Sequence, residues 1–370
     1  LVKLSRLENG IIVLDPKPND LSKLVKEVGN AMRLKAEENG RVVEYEYDKT
    51  YKLLSETVNG EKTSYVYDSF GNRLKKLEKD EELVYTYDKN NRLVKAGSEI
   101  YTYDNNGNLT SQDDGTTQRV YTYDSENHLI KAKITSGNGV TIETYEYDFA
   151  GNRTSTTVNE ISRTEYLVDD SGLAAVLAEI RDGNVTTYTY GHELISLERT
   201  DDKKFYLFDG HGDVRALSDI DGNITDTYTY DAFGELTDKT GETENSFLYC
   251  GEQYDANTGF YYLRARYMDP RVGRFVSMDP YSGSLFDPMS LHKYLYANAN
   301  PITFKDPTGN FSLLEMDVRA TIDQILENYP KVDYVKIFNT INDALSVYDF
   351  VRTTYDAVIN GESIEEIAMS

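Results

Sequence analysis

Tryptophan is absent from the 370 residues, cysteine occurs once and histidine four times. A single Cys250 excludes an internal disulfide framework and a cysteine-rich zinc site. Four histidines leave few positions for histidine-based catalysis. Basic residues are also scarce. Lys and Arg total 39 against 63 Asp and Glu, a net charge of −24. Nucleic acid and anionic membranes both need a basic footprint, so neither is expected as a main partner. No stretch approaches the ~20 apolar residues that a spanning helix requires. The chain starts at Leu1 with no charged-then-apolar leader, and we read it as a piece of a longer protein. The missing leader therefore says nothing about secretion.

Tyrosine is abundant instead: 31 residues against 13 Phe. Many of them belong to a repeat, Tyr-x-Tyr-Asp followed by a short turn with Gly or Asn. Clear copies start at Tyr45, Tyr65, Tyr85, Tyr101, Tyr121, Tyr145 and Tyr228, with degenerate ones at Tyr166 and Tyr188. The first six copies recur every 16 to 24 residues. Two tyrosines with period two point to one face of a strand. The Asp ends the strand, and its carboxylate accepts N–H bonds inside the turn. Gly71-Asn72, Gly107-Asn108 and Gly151-Asn152 supply residues that tolerate positive φ. Each unit is thus a hairpin that cannot cover its own Tyr face, and stacked hairpins form a curling sheet. Asp104–Asn108 resembles the start of a calcium loop, but Gly115 stands where an EF-hand needs Glu, so a hairpin turn is expected. Asn108 and Asn223 begin glycosylation sequons that read first as turn residues.

This repeat resembles the YD repeat of Rhs proteins, toxin-complex C components, bacterial wall-associated proteins and teneurins. The resemblance continues through Tyr206–Leu217, Gly259–Pro270, Gly273–Pro280, Asn298–Pro301 and Asp306–Gly309, which are similar to the Rhs repeat-associated core. It implies an all-β fold: a curled antiparallel YD-repeat sheet, a partial β-cocoon, with a small α-helical C-terminal segment. The expected organisation is divergent repeats over 1–40, YD repeats over 41–240, the core over 241–310 and a variable helical segment over 311–370. In the family the shell encloses a C-terminal effector, and the core is often an aspartic autoprotease that cuts after an Asp-Pro-x-Gly-Leu motif.

Two Asp-Pro pairs, Asp279-Pro280 and Asp306-Pro307, stand 27 positions apart. Two carboxylates held close cannot both ionise easily, so one keeps a proton and the other acts as base toward water. The resemblance places the catalytic pair on Asp279 and Asp306, with Arg274 and Arg266 as orienting cations and Asn310–Phe311 as the scissile bond. Asn310 replaces the usual Leu, and a third pair, Asp287-Pro288, lies between. Asp before Pro also caps turns, and that reading stays open. His211 reads as a hairpin-loop residue, and Cys250, with no accompanying histidine motif, as a buried apolar one.

From Leu314 to Val358 apolar residues recur at helical spacing around Pro330. This segment is either the start of the effector or a helical cap. The function that follows is encapsulation and presentation of the chain's own C-terminal segment by a secreted or cell-surface bacterial protein, without cofactor or metal. Its expected partners are that segment and a secretion or toxin-complex component. A carbohydrate-binding surface module is the alternative, because open Tyr faces stack on sugars.

Overall fold

A computed structural model describes residues 43–310, except 192, 201 and 284–287, together with the backbone of Leu313–Leu314. The expectations for residues 1–40, and for most of the helical tail, lie outside the described residues.

Twenty strands, from Val43–Tyr47 to Leu236–Thr240, form one up-and-down antiparallel meander in which each strand pairs with the next in sequence. The repeat explains its regularity. In Glu61–Tyr67 the first Tyr is buried, Val66 is exposed and Tyr67 turns inward again. Asp68 then closes the turn, its Oδ1 accepting the N–H groups of Phe70 and Asn72, both at 2.9 Å. Gly71 takes φ +92°, a left-handed value that the turn requires. The Asp104–Asn108 turn is built the same way, with Asn108 N–H on the Asp104 carboxylate at 2.8 Å.

One device was not anticipated. The register shifts between Val66 and Tyr67, and at the matching step of other repeats, so the following strand carries an extra residue. A bulge leaves ladder groups unpaired. The second Tyr of a later repeat supplies the partner: Tyr87 OH donates to Arg73 O, Tyr147 OH to Leu129 O and Tyr230 OH to Val214 O, each at 2.8 Å. These hydroxyls stitch repeats together instead of reaching water, and phenylalanine cannot replace them.

The sheet curls until its ends meet. No ladder joins the first and last strands among the described residues; side chains close the gap. Phe233 packs edge-on against Tyr65 at 5.3 Å, under the Arg73 guanidinium at 4.0 Å. Lys76 Nζ lies 3.5 Å from Asp231, and Ala232 N–H donates to Glu56 at 3.3 Å. A ring of twenty strands at ~4.8 Å spacing is about 30 Å across, and packed sheets need ~10 Å between them. Such a ring has space for one central layer.

The core segment is that layer. Four short strands, Gln253–Asp255, Phe260–Leu263, Arg266–Asp269 and Arg274–Phe275, make a second antiparallel sheet inside the curl. Phe260 and Tyr262 pack on the wall around Tyr85, Tyr101, Tyr121 and Tyr145. Tyr261 and Leu263 pack on the opposite wall around Tyr188, Tyr206 and Tyr228. All four residues of Phe260–Leu263 are buried, as expected of a strand covered on both faces. The repeat tyrosines therefore face a filled interior and do not form an open groove.

The tail departs from expectation where it is described. Leu313–Leu314 pairs with Phe304–Lys305 as a two-residue ladder. Its backbone closes a hairpin around Asp306–Gly309, so the helical spacing that includes Leu314 does not begin there.

Candidate functional site

The two Asp-Pro motifs meet at one side chain. Arg266, on the central strand Arg266–Asp269, is 4% exposed at its side chain, and its guanidinium lies 3.6 Å over the Phe275 ring. Its Nη2 is 2.8 Å from Asp279 Oδ2 and 3.7 Å from Asp306 Oδ2. Its Nε donates to the Gly309 carbonyl and its Nη1 to Lys293 O. One guanidinium therefore holds both carboxylates and the backbone that leads to Asn310.

Local turns aim each carboxylate. Asp279 Oδ1 accepts Tyr281 N–H at 2.8 Å, and its own N–H donates to Lys293 O at 2.9 Å. Asp306 Oδ1 accepts Asn310 N–H at 3.1 Å and the Thr308 hydroxyl at 3.2 Å. Gly309 takes φ +72°, and a Cβ there would sit 2.3 Å from Leu263 O, so only glycine fits. Burial raises the Asp279 carboxyl above the ordinary carboxylate range, although Arg266 opposes it. Burial also lowers the Arg266 guanidinium from its usual value, with Asp279 and Asp306 opposing. A cleft of about 570 Å³ opens beside the cluster, lined by Arg266, Pro280, Thr308 and Asn310 on one side and by wall residues including His128 and Gly151 on the other.

Arg274 is elsewhere. Along the core strands, side chains alternate between the two walls. Arg266, Met268 and Phe275 share one face; Arg274 takes the other. There its guanidinium reaches Asn72 Oδ1 at 3.1 Å and the Asn91 carbonyl, stacked 4.8 Å over Tyr87. It braces two wall turns and does not touch Asp279 or Asp306 through any of these contacts, which corrects the orienting role expected for it. Phe311, on the far side of the expected scissile bond, lies outside the described residues.

A second cluster was missed. His211 does sit in a hairpin turn, but its Nδ1 lies 3.0 Å from Asp213 Oδ1 and 3.6 Å from Cys250 Sγ. Cys250 therefore has a histidine beside it after all, 39 positions away in sequence. Only the fold brings them together, through the bond from Val214 N–H to Leu248 O at 3.1 Å.

Comparison with known proteins follows the same outline. A family model described as the teneurin YD-shell matches residues 19–302. The chain belongs to the teneurin YD-shell family. Over 181 residues it is 41% identical to the tRNA3(Ser)-specific nuclease WapA of Bacillus spizizenii, covering 47% of this chain and 8% of that protein. It is 30% identical over 189 residues to salivary gland surface protein 1 of Aedes aegypti, covering 46% of this chain and 5% of that one. Among solved structures, a chain of the TcdB2-TccC3-Cdc42 complex aligns with a TM-score of 0.43 at 18% identity, over 73% of this chain and 18% of its own. This chain thus spans less than a tenth of the WapA and salivary gland proteins.

Proposed function

We propose that the chain is the closing end of a larger YD-shell. It plugs the curled sheet and presents its own C-terminal polypeptide at the Asp279–Arg266–Asp306 cluster, where that polypeptide is cut after Asn310. The observation behind this reading is that two Asp-Pro motifs 27 positions apart converge on Arg266, which also holds the Gly309 carbonyl. The filled interior leaves no space for a cargo within these twenty strands, so enclosure falls to shell outside them. That suits a secreted or surface protein much longer than this chain, of the toxin-delivering kind suggested by the nuclease relatives. The covered tyrosines weigh against a glycan groove on this face.

The chemistry is hydrolysis of one peptide bond. Asp306, as carboxylate, takes a proton from water while the water oxygen attacks the Asn310 carbonyl carbon. Asp279, whose carboxyl burial raises and Arg266 opposes, enters this step in its protonated form and gives that proton to the departing Phe311 nitrogen, becoming the carboxylate. The Asn310 carboxylic acid and the Phe311 amine are the products. Arg266 holds both carboxyls and the substrate backbone in register.

Denaturing mass spectrometry of the full chain tests this. Wild type should yield a C-terminal piece beginning at Phe311, while Asp279→Asn and Asp306→Asn stay whole. A single 42.1 kDa species from wild type at every pH from 4 to 8 would refute cleavage. Cleaved wild type should elute as one native particle; separation of the pieces without denaturant would refute presentation by the plug.

A further inference from the structure

We propose that His211, Asp213 and Cys250 form a three-ligand site for a thiophilic divalent cation such as zinc, stapling the wall to the strand that enters the interior. The ligand atoms lie within 4.8 Å of one another. Zinc at ~2.3 Å from sulfur and ~2.0–2.1 Å from nitrogen or oxygen gives tetrahedral edges of about 3.6 Å for S···N and about 3.3 Å for N···O. The observed separations on His211 Nδ1 are 3.6 Å to Cys250 Sγ and 3.0 Å to Asp213 Oδ1. Three protein ligands of mixed N, O and S character leave a fourth position for water.

The surroundings support the ligands. Asp213 is held by the backbone N–H of Cys250 on Oδ1 at 2.9 Å and, from outside the cluster, by Arg215 near Oδ2 at 3.5 Å. The Tyr296 hydroxyl lies 3.6 Å from Cys250 Sγ and is placed to donate to a thiolate. Cys250 itself has φ +53° and ψ +17°, a left-handed backbone that turns its side chain toward His211 and that a non-glycine residue keeps only under local constraint. The His211 side chain remains 11% exposed, so an ion has a way in. The site joins the Asp209–Asp213 turn of the wall to Tyr249–Gly251, just after the last wall strand. Filling it would lock the plug's entry.

Cobalt(II) is the probe. Metal-free full-length protein should bind one equivalent and develop a thiolate-to-cobalt charge-transfer absorption, and zinc should abolish that absorption by displacement. Zinc should also raise the thermal midpoint of wild type, because it binds the folded state alone. Cys250→Ser should remove the charge-transfer band while the β-sheet circular dichroism is unchanged. Asp213→Asn should weaken cobalt binding by at least about tenfold, the lower bound for disturbing a metal's supporting shell. The trio Asp124, Glu126 and His128, of which Glu126 is exposed and the others half-buried, also brings three ligand atoms within 4.8 Å, but it has no thiol and cannot give that band. A folded wild type that shows no charge-transfer band at stoichiometric cobalt, or a band that survives in Cys250→Ser, overturns the proposal and leaves a His211–Asp213 ion pair beside a bystander thiol.

Discussion

Carboxylates on the rim of the wall and carboxylates in its interior experience opposite forces. At the rim, Asp88, Asp124 and Asp148 are pushed up by partial burial, yet the N–H groups of their own turns outweigh it and draw them below the ordinary range. Asp48 falls to about 2 in this way, with Lys52 and Thr50 as its donors. Inside, Glu143, Glu252 and Asp255 are all raised, with burial the largest cause. The rim acid meets peptide N–H groups that its own strand-turn unit supplies. Among the interior acids, Asp255 meets the guanidinium of Arg153, 102 positions away on the wall, so that pair depends on the plug being seated. The wall is held together locally and the plug by contacts distant in sequence.

The largest break in this contrast should come at Arg153, which is fully buried. It donates to Asp255 at 2.6 Å, to Tyr267 OH and Gln253 at 3.1 Å each, and lies 4.4 Å over Tyr262. Arg153→Met leaves Asp255 charged and unpaired inside, a loss of about 3–5 kcal/mol. Arg163 pairs with Glu146 at 2.6 Å on the outer face, where its side chain is 45% exposed. Arg163→Met should cost about 0–1 kcal/mol. Urea unfolding of both variants measures the ratio. Equal losses would mean that the plug is not seated as described.

The pH dependence sharpens the same contrast. Burial and the nearby Asp255 raise Glu143 from 4.5 to about 7. Its protonated form suits the fold, so its contribution is complete below pH 4.5 and is lost as pH rises toward 7. The rim works in reverse: turn aspartates contribute fully above their ordinary pKa of ~3.9 and lose that contribution as pH falls through their lowered values. The unfolding midpoint should therefore peak between about pH 4 and 5. Glu143→Gln should flatten the alkaline limb, by at most about 3 kcal/mol, and leave the acid limb unchanged. An alkaline limb of unaltered slope in Glu143→Gln would refute the assignment.

The same division decides how much was legible beforehand. Tyr65, Tyr67 and Asp68 could be placed on strand and turn because the forces on them come from within a few residues. The bulge could not, because it depends on Tyr87 reaching Arg73 O in the preceding repeat. Phe260-Tyr261-Tyr262-Leu263 was visible as part of a family motif, but nothing local says that alternate residues meet opposite walls. The same parity separated Arg266 from Arg274. Both were candidates for the Asp pair, and choosing between them needs the pairing of Met268 with Phe275. Cys250 and His211 were dismissed for the same reason, since their encounter depends on the plug's entry.

The smallest expected effect is on the outer face of the wall. Val66 stands between two inward tyrosines, is 42% exposed and faces Lys75 on the next strand. Val66→Thr keeps the β-branch that suits a strand and exchanges one methyl for a hydroxyl that water can reach. With no buried group disturbed, the change in unfolding free energy should stay within about 0.5 kcal/mol. Tyr65, one residue earlier, is only 2% exposed and donates to Glu56 at 2.8 Å; its replacement by Ala should cost about 3–5 kcal/mol. A loss above about 1 kcal/mol at Val66 would contradict a wetted outer face. It would mean that the outside of this wall is covered in the folded protein, and the distinction between a wet outside and a filled inside would fail.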